Sequence, residues 1–249
     1  IVDYSKIIVF EPDADTFYNR GNAKFSLQDY QGAKDDYQKA FELDPSFTDA
    51  LYSLGCAKYD LGEYKEAILD FNKIINVFPN LQKVYTIRAS AHAALEDYNN
   101  ALKDYSFAIL INPDANAYYN RGVFYMDINY YQNANSDFSL AVQLNNNSAY
   151  AYFYRGVSYL LLGDYNNAIS DFSNALKFDN LDFDAMLGLA LAYYKANDSS
   201  NAKTYFDKAK NIIAPNSNGN EAIENFENSY WYLKQYFFFN DNFNLLKNL

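Results

Sequence analysis

The sequence has one cysteine and one histidine in 249 residues, which removes most of the chemistry that side chains can carry. The lone Cys56 excludes an intrachain disulfide and a cysteine-ligated metal cluster. A zinc site, or a Ser-His or Cys-His catalytic pair, would have to use His92 alone. The sequence contains no phosphate-binding loop, no dinucleotide-binding glycine motif and no nucleophile elbow. We therefore predict no metal, no cofactor and no catalytic residue, and we do not expect an enzyme.

Basic residues are also scarce, with 20 Lys and Arg against 31 Asp and Glu and a formal net charge of −11. Nucleic acids and anionic membranes both attract proteins through Lys and Arg. The sequence shows no signal peptide and no apolar run long enough to cross a bilayer. We expect neither nucleic-acid binding nor direct membrane insertion. The acidity is compatible with a basic partner or with solubility alone.

A repeat of about 34 residues organises what the sequence does contain. A series of small residues recurs in steps of 34, 34, 33, 34 and 34, and an aromatic series keeps the same steps. Such self-similarity is typical of a repeat protein. The small residues are Gly21, Gly55, Ala89, Gly122, Gly156 and Ala190, and the aromatic residues are Tyr37, Phe71, Tyr105, Phe138, Phe172 and Phe206.

Each repeat has the apolar spacing of two helices joined by a short turn. In residues 48–81, one apolar face precedes the turn at Gly62 and a second follows it. Residues equidistant from such a turn face each other in an antiparallel hairpin. Gly21 and Tyr37 are related in this way, so the glycine leaves room for the ring. Each hairpin exposes an apolar face that only the next hairpin can cover, which predicts a stack.

These residues resemble a tetratricopeptide repeat. The resemblance rests on a pattern that recurs six times: a Tyr18-to-Ala23 run, Asp29-Tyr30, Ala33, a Tyr37-to-Ala40 run and Leu43-to-Pro45. It implies an all-α fold, a right-handed superhelical solenoid of tandem antiparallel hairpins. It further implies that the first helices line a concave groove and that the protein binds other proteins.

The repeat register divides the chain. Residues 1–13 are interpreted as the second helix of a preceding repeat, so the chain is expected to be part of something longer. Residues 216–249 are predicted to form a linker and one or two capping helices, with helix over 221–239. The six repeats are predicted at 14–47, 48–81, 82–114, 115–148, 149–182 and 183–215.

Arginine recurs at one repeat position, and aspartate follows it sixteen residues later. Because these pairs straddle the hairpin turn symmetrically, we predict ion pairs within each hairpin that have a structural role. The alternative is a ladder of arginines that binds anionic ligands. The predicted pairs are Arg20–Asp36, Arg88–Asp104, Arg121–Asp137 and Arg155–Asp171.

The family resemblance includes modules that bind the carboxylate end of heat-shock chaperones through a groove lysine. No lysine occupies the matching position here, so this carboxylate clamp is not expected. The residues at that position are Tyr18, Tyr52, Thr86, Tyr119, Phe153 and Leu187.

We predict that a peptide segment or helix of a partner protein docks in the groove, which becomes apolar toward the C-terminus. Two alternatives stay open: residues 221–249 fold back over this surface, or a second copy of the chain covers it as a homo-oligomer. The assigned groove residues are Tyr18, Asn19, Asn22, Tyr52, Tyr119, Asn120, Val123, Met126, Phe153, Tyr154, Val157, Leu160, Leu187 and Leu191.

A protein–protein interaction scaffold is therefore the preferred function. The alternative is the substrate-recruiting arm of a larger enzyme whose catalytic domain lies outside this sequence. The sequence does not identify the partner.

Overall fold

A computed structural model describes residues 1–10, 12–213 and Leu246. Within these residues the chain is all-helical, which confirms the predicted fold class. The helices are α1 (Val2–Phe10), α2 (Ala14–Ser26), α3 (Tyr30–Leu43), α4 (Thr48–Asp60), α5 (Tyr64–Val77), α6 (Gln82–Ala94), α7 (Tyr98–Ile111), α8 (Ala115–Asp127), α9 (Tyr131–Leu144), α10 (Ala149–Leu161), α11 (Tyr165–Ala175), α12 (Phe183–Lys195) and α13 (Ser199–Ile213).

The helices from α2 onward pair into six consecutive hairpins, hereafter hairpins one to six, and each hairpin begins with an even-numbered helix. The chain divides into two compact units, Ile1–Pro113 and Asp114–Leu249. The first unit contains α1 and hairpins one to three, in which α3 packs on α4 and α5 packs on α6. The second unit contains hairpins four to six, packed in the same way.

In the described residues, no helix combines the length and apolar character that a membrane crossing requires.

Every hairpin turn contains one residue in the left-handed backbone region, and these residues keep the repeat register. Gly62 and Gly163 have φ of 78° and 80°, a conformation that costs glycine little. In several hairpins an aspartate then caps the start of the second helix. Asp164, for example, accepts a hydrogen bond from the backbone N–H of Asn167. The non-glycine residues with positive φ are Gln28, Glu96, Asn129 and Asn197.

The small and aromatic series meet inside the hairpins, as predicted. A Cβ atom placed on Gly55 would lie 2.6 Å from the ring of Phe71, and one on Gly122 would lie 2.7 Å from the ring of Phe138. Both rings are fully buried. The missing side chain therefore allows the first helix to pack directly on the ring of the second.

The predicted linker and capping helices at 216–249 lie outside the described residues, except for Leu246. Leu246 is helical and only 1% exposed, and it belongs to the main hydrophobic cluster of the second unit.

Candidate interaction surface and the ion pairs beneath it

Four hairpins contain an arginine that binds an aspartate across the turn. In each pair the arginine Nε and Nη2 atoms donate to the two carboxylate oxygens. In hairpin five, Arg155 Nε lies 2.7 Å from Asp171 Oδ2, and Nη2 lies 2.8 Å from Oδ1. Such a bidentate pair is among the stronger hydrogen-bonded arrangements in proteins. The same two bonds join Arg20 to Asp36, Arg88 to Asp104 and Arg121 to Asp137, and each aspartate is 3% exposed.

The pKa values of two equivalent buried aspartates, Asp171 and Asp36, are shifted in opposite directions. Burial raises the pKa of Asp171, and the hydrogen bonds from Arg155 offset that rise only in part. Burial also opposes ionisation of Asp36, but two cations surround it, Arg20 and Lys24, the latter 2.8 Å away. Their hydrogen bonds bring the pKa of Asp36 below its ordinary value. The second cation beside Asp36 and the deeper burial of Asp171 together account for the opposite directions.

Two of the arginines also bind side chains outside their own hairpin. Arg88 Nη1 donates to Asn72 on α5, in the preceding hairpin. Arg20 Nη1 donates to Ser5 on α1 at 3.1 Å. These guanidinium groups therefore direct their hydrogen bonds to side chains of the protein itself. This geometry supports the structural role proposed for the arginines over an anion-binding ladder.

In hairpin two, a lysine replaces the arginine as the partner of the buried aspartate, and the sequence pattern does not predict this pair. Leu54 stands where the other hairpins have arginine, yet Asp70 is still only 3% exposed. Lys58, one helical turn further along α4, binds Asp70 instead. Lys73 also reaches Asp70, at 2.8 Å, from the same helix as the aspartate. A search for lysine one turn after the arginine position would have identified this partner, since Lys24 occupies the equivalent site in hairpin one.

Lys58→Met is expected to destabilise the protein, whereas Lys73→Met is a matched control. Lys58 is 17% exposed and Lys73 is 60% exposed, although both contact Asp70. We expect a loss of about 1–2 kcal/mol in the free energy of unfolding for Lys58→Met and under about 0.5 kcal/mol for Lys73→Met. Urea unfolding of both variants measures the difference. Equal losses would show that Lys58 contributes no more than a surface ion pair.

Three of the assigned groove residues of the first unit, Tyr18, Asn22 and Tyr52, have partners within the chain. Tyr37 donates from its hydroxyl to Asn22 at 2.8 Å. The ring of Tyr52 lies 6.2 Å from that of Phe71, and the Lys83 ammonium lies 4.3 Å above it. Tyr18 packs on Tyr37 in the same way, and Asn19 is exposed. This face is polar and internally bonded.

The assigned groove residues of the second unit include a half-exposed aromatic cluster of Tyr119, Phe153 and Tyr154. Tyr154 lies edge-on to Tyr119 at 5.7 Å and to Phe153 at 5.4 Å. Burial and the neighbouring tyrosines raise the pKa of Tyr119, so its hydroxyl stays protonated. Val123 and Asn120, on the same helix as Tyr119, are also half-exposed.

A shallow pocket of about 100 Å³ opens beside this cluster. Tyr119 lines it, and Tyr150, at 72% exposure, also contributes to its wall. The other walls come from the first turn of α8, the end of α9 and the start of α10. The apolar pattern of the repeat does not single out Tyr150, although its position in the repeat matches that of Asp15, Asp49 and Lys83.

Five of the assigned groove residues are buried, so the prediction of an exposed apolar surface is wrong at these positions. Their exposed fractions range from 0 to 6%. They belong to the hydrophobic cluster that also contains Leu246, which the repeat pattern could not place. The buried residues are Met126, Val157, Leu160, Leu187 and Leu191.

Comparison with family models shows to which protein family the chain belongs. Tetratricopeptide repeat models match residues 14–47, 49–81, 115–148, 149–180 and 184–217, which is more than half of the chain. The chain belongs to the tetratricopeptide repeat family. By family and fold it is a scaffold for protein–protein interaction. No curated protein matches this chain.

Several solved structures share this fold. PilF of Pseudomonas aeruginosa is similar over 82% of this chain and 93% of its own, with 18% identity and a TM-score of 0.68. A tetratricopeptide repeat protein from Parabacteroides merdae ATCC 43184 is similar over 81% and 83%, with 20% identity and a TM-score of 0.64. The APC/C hetero-tetramer Cut9–Hcn1 contains a chain similar over 90% of this one, with 19% identity and a TM-score of 0.67. This chain spans 44% of the length of that one.

The described part of the chain has no cluster of metal-binding side chains. Residues 1–10, 12–213 and Leu246 contain no group of three or more His, Cys, Asp or Glu side chains placed to hold a metal ion. His92 packs beside Asp97 at 3.1 Å, at the start of α7.

Proposed function

We propose that the second unit binds a peptide segment or helix of a partner protein through the aromatic cluster of Tyr119, Phe153 and Tyr154 and the pocket beside it. The observation that carries this proposal is the half-exposed ring cluster next to an open pocket walled in part by the exposed Tyr150. Aromatic rings are enriched at the centres of protein interfaces because they bury large areas with little loss of side-chain freedom.

The chemistry of this surface favours an apolar side chain flanked by polar groups. The pocket walls combine Ala115, Ala141 and Ala151 with Asn116 and Asn145. The alanines provide apolar contact, and the amide side chains supply hydrogen bonds. A peptide that inserts one apolar side chain between the alanines and hydrogen-bonds its backbone to the asparagine amides makes both kinds of contact.

Affinity capture from the source cell tests this proposal with four forms of the chain. Tyr119→Ala combined with Phe153→Ala should reduce recovery of the partner at least ten-fold, since hot-spot rings contribute more than about 1.4 kcal/mol each. Tyr150→Ala should reduce recovery several-fold with little change in stability, because its ring is 72% exposed. Leu181→Ala, 65% exposed and outside the cluster, is the matched control.

The ring pair also packs inside the chain, so circular dichroism should first establish the temperature at which the double variant remains folded. Capture is then compared below that temperature. A protein whose recovery falls with both ring variants and stays unchanged with Leu181→Ala is the partner. Equal recovery of the same proteins by all four forms would rule out this surface.

A further inference from the structure

Helix α1 exposes a face that is buried in the second helix of every hairpin. Ile7 occupies the repeat position of Ile74, which is 2% exposed, yet Ile7 itself is 46% exposed. Tyr4 occupies the position of the fully buried ring of Phe71 and is only half-buried. None of the residues of α1 is buried. We call Asp3, Tyr4 and Ile7 the open face of α1.

The contact of α1 with hairpin one is nevertheless that of a second helix. It packs on α2, as α3 packs on α4. Arg20 donates to Ser5 on α1, and Arg88 donates to Asn72 at the same repeat position of α5. In the hairpins, the face equivalent to the open face packs on the first helix of the same hairpin. That contact is the one that α1 lacks.

Asp3 indicates the charge of the group that fits this face. Its repeat position is that of five aspartates, each 3% exposed and each bound by an arginine or lysine on the first helix of its own hairpin. Asp3 is exposed, and its carboxylate has no hydrogen bond or ion pair within the described residues. A helix that buried Asp3 without a cation would leave an uncompensated charge, which is strongly destabilising. The five aspartates are Asp36, Asp70, Asp104, Asp137 and Asp171.

Tyr4 indicates the size of the group that lies opposite. In hairpin one, a Cβ atom on Gly21 would lie 2.7 Å from the equivalent ring of Tyr37. The ring of a second helix therefore favours glycine or alanine on the facing helix. In four hairpins this small residue directly follows the arginine of the ion pair. The four pairs of neighbours are Arg20-Gly21, Arg88-Ala89, Arg121-Gly122 and Arg155-Gly156.

We propose that the open face of α1 is the docking site of a helix that precedes residue 1 in the same polypeptide and carries an arginine followed by glycine or alanine. Charge complementarity with Asp3 and the bulk of the Tyr4 ring specify these two residues. Connectivity specifies the source, because in all six hairpins the first helix comes before the second and is joined to it by a three-residue turn. A helix of a separate protein would lack this link and its high effective concentration. This inference does not depend on the partner proposed above.

A copy of residues 13–33 placed directly before Ile1 of the full chain tests the docking. Ile1 and Lys34 share a repeat position, so the copy continues into α1 in register. Its arginine and glycine are thereby placed opposite Asp3 and Tyr4. Circular dichroism should show a gain in helical signal over the 249-residue chain.

Thiol accessibility reports whether the copy covers the open face. We expect Ile7→Cys to react with a maleimide at least about ten-fold more slowly in the extended chain than in the 249-residue chain. Val9→Cys is the matched control and should react at the same rate in both, because Leu110, its equivalent in a complete hairpin, is 76% exposed. Cys56 contributes a slow background, since burial raises its pKa to about 11.

Two further variants test the chemistry of the site. Gly21→Leu within the copy should abolish the protection of Ile7→Cys, because the added side chain meets the ring of Tyr4. Asp3→Leu should reduce the protection at least about three-fold in the extended chain and leave the rate unchanged in the 249-residue chain, where Asp3 has no partner.

Four results would overturn the proposal. The first is an extended chain with no gain in helical signal, and the second is an Ile7→Cys rate that the copy does not change. The third is protection without the copy that disappears on dilution, which would identify a second copy of the chain as the cover. The fourth is equal protection by a free peptide of residues 13–33 at micromolar concentration, which would identify the helix of a separate protein as sufficient.

Discussion

Arg155→Leu should lower the free energy of unfolding by about 3 kcal/mol at neutral pH. Asp171 is 3% exposed and takes both of its arginine hydrogen bonds from Arg155. Removing one partner of a buried ion pair typically costs about 3–5 kcal/mol because the other charge stays buried. Arg155 is 18% exposed, so water already solvates part of the pair and the lower end applies.

The loss should depend on pH in a defined direction. Burial already raises the pKa of Asp171, and losing Arg155 raises it further. A carboxyl whose folded pKa lies above its unfolded value of about 3.9 destabilises the folded state at higher pH. The destabilisation is fully present above the folded pKa and absent below the unfolded value. The deficit of Arg155→Leu relative to wild type should therefore shrink as the pH falls from 7 toward 4.

Urea unfolding at several pH values measures this effect, and two variants serve as controls. Arg155→Leu combined with Asp171→Leu should be less destabilised than Arg155→Leu alone, because no charge remains buried. Arg20→Leu should cost less than Arg155→Leu, since Lys24 continues to bind Asp36. A double variant that is less stable than the single one would show that the uncompensated Asp171 carboxylate is not the cause of the loss.

Phe172→Ala should cost about 3–5 kcal/mol of unfolding free energy, the usual range for removing a fully buried phenylalanine. The ring of Phe172 is 0% exposed and lies between two glycines, Gly156 on α10 and Gly188 on α12. It therefore joins the first helix of its own hairpin to that of the next. Its loss opens a cavity at the contact between hairpins five and six.

The glycines on either side of this ring predict a graded effect. A Cβ atom on Gly188 would lie 2.6 Å from Phe172, and one on Gly156 would lie 3.1 Å away. We expect Gly188→Ala to cost about 1–3 kcal/mol from overpacking, and Gly156→Ala to cost less because the ring needs to move only a few tenths of an ångström. Phe172→Leu should reduce the cost of Gly188→Ala. A double-mutant cycle measures this coupling, and strict additivity would show that ring and glycine do not constrain each other.

Much of the fold can be predicted from the sequence because it consists of contacts within single repeats. The spacing of small and aromatic residues predicts the hairpins, and the equal distances of Arg155 and Asp171 from their turn predict the pair. Both inferences need only the geometry of an antiparallel hairpin, in which facing residues lie at equal distances from the turn. For the same reason the Gly122–Phe138 contact follows from the amino-acid sequence alone.

The ion pair between Lys58 and Asp70 could not be predicted from residue spacing. Its ammonium replaces an arginine one turn away, and only the path of its flexible side chain brings it to Asp70. The pocket beside Tyr150 likewise depends on the relative positions of three helix ends. Spacing in the sequence records neither the reach of a side chain nor the gap between helix ends.

The groove shows the strongest contrast between sequence and tertiary structure. The sequence determined the repeat register, and that register placed Val157, Leu187 and Leu191 on the predicted groove side of hairpins five and six. Only the tertiary structure decided that these residues are buried. Their burial depends on the side chains that consecutive hairpins bring together in one hydrophobic cluster, which also contains Leu246 from outside the repeats. A periodic pattern cannot specify how deeply a position is buried, because the side chains packed around that position differ from repeat to repeat.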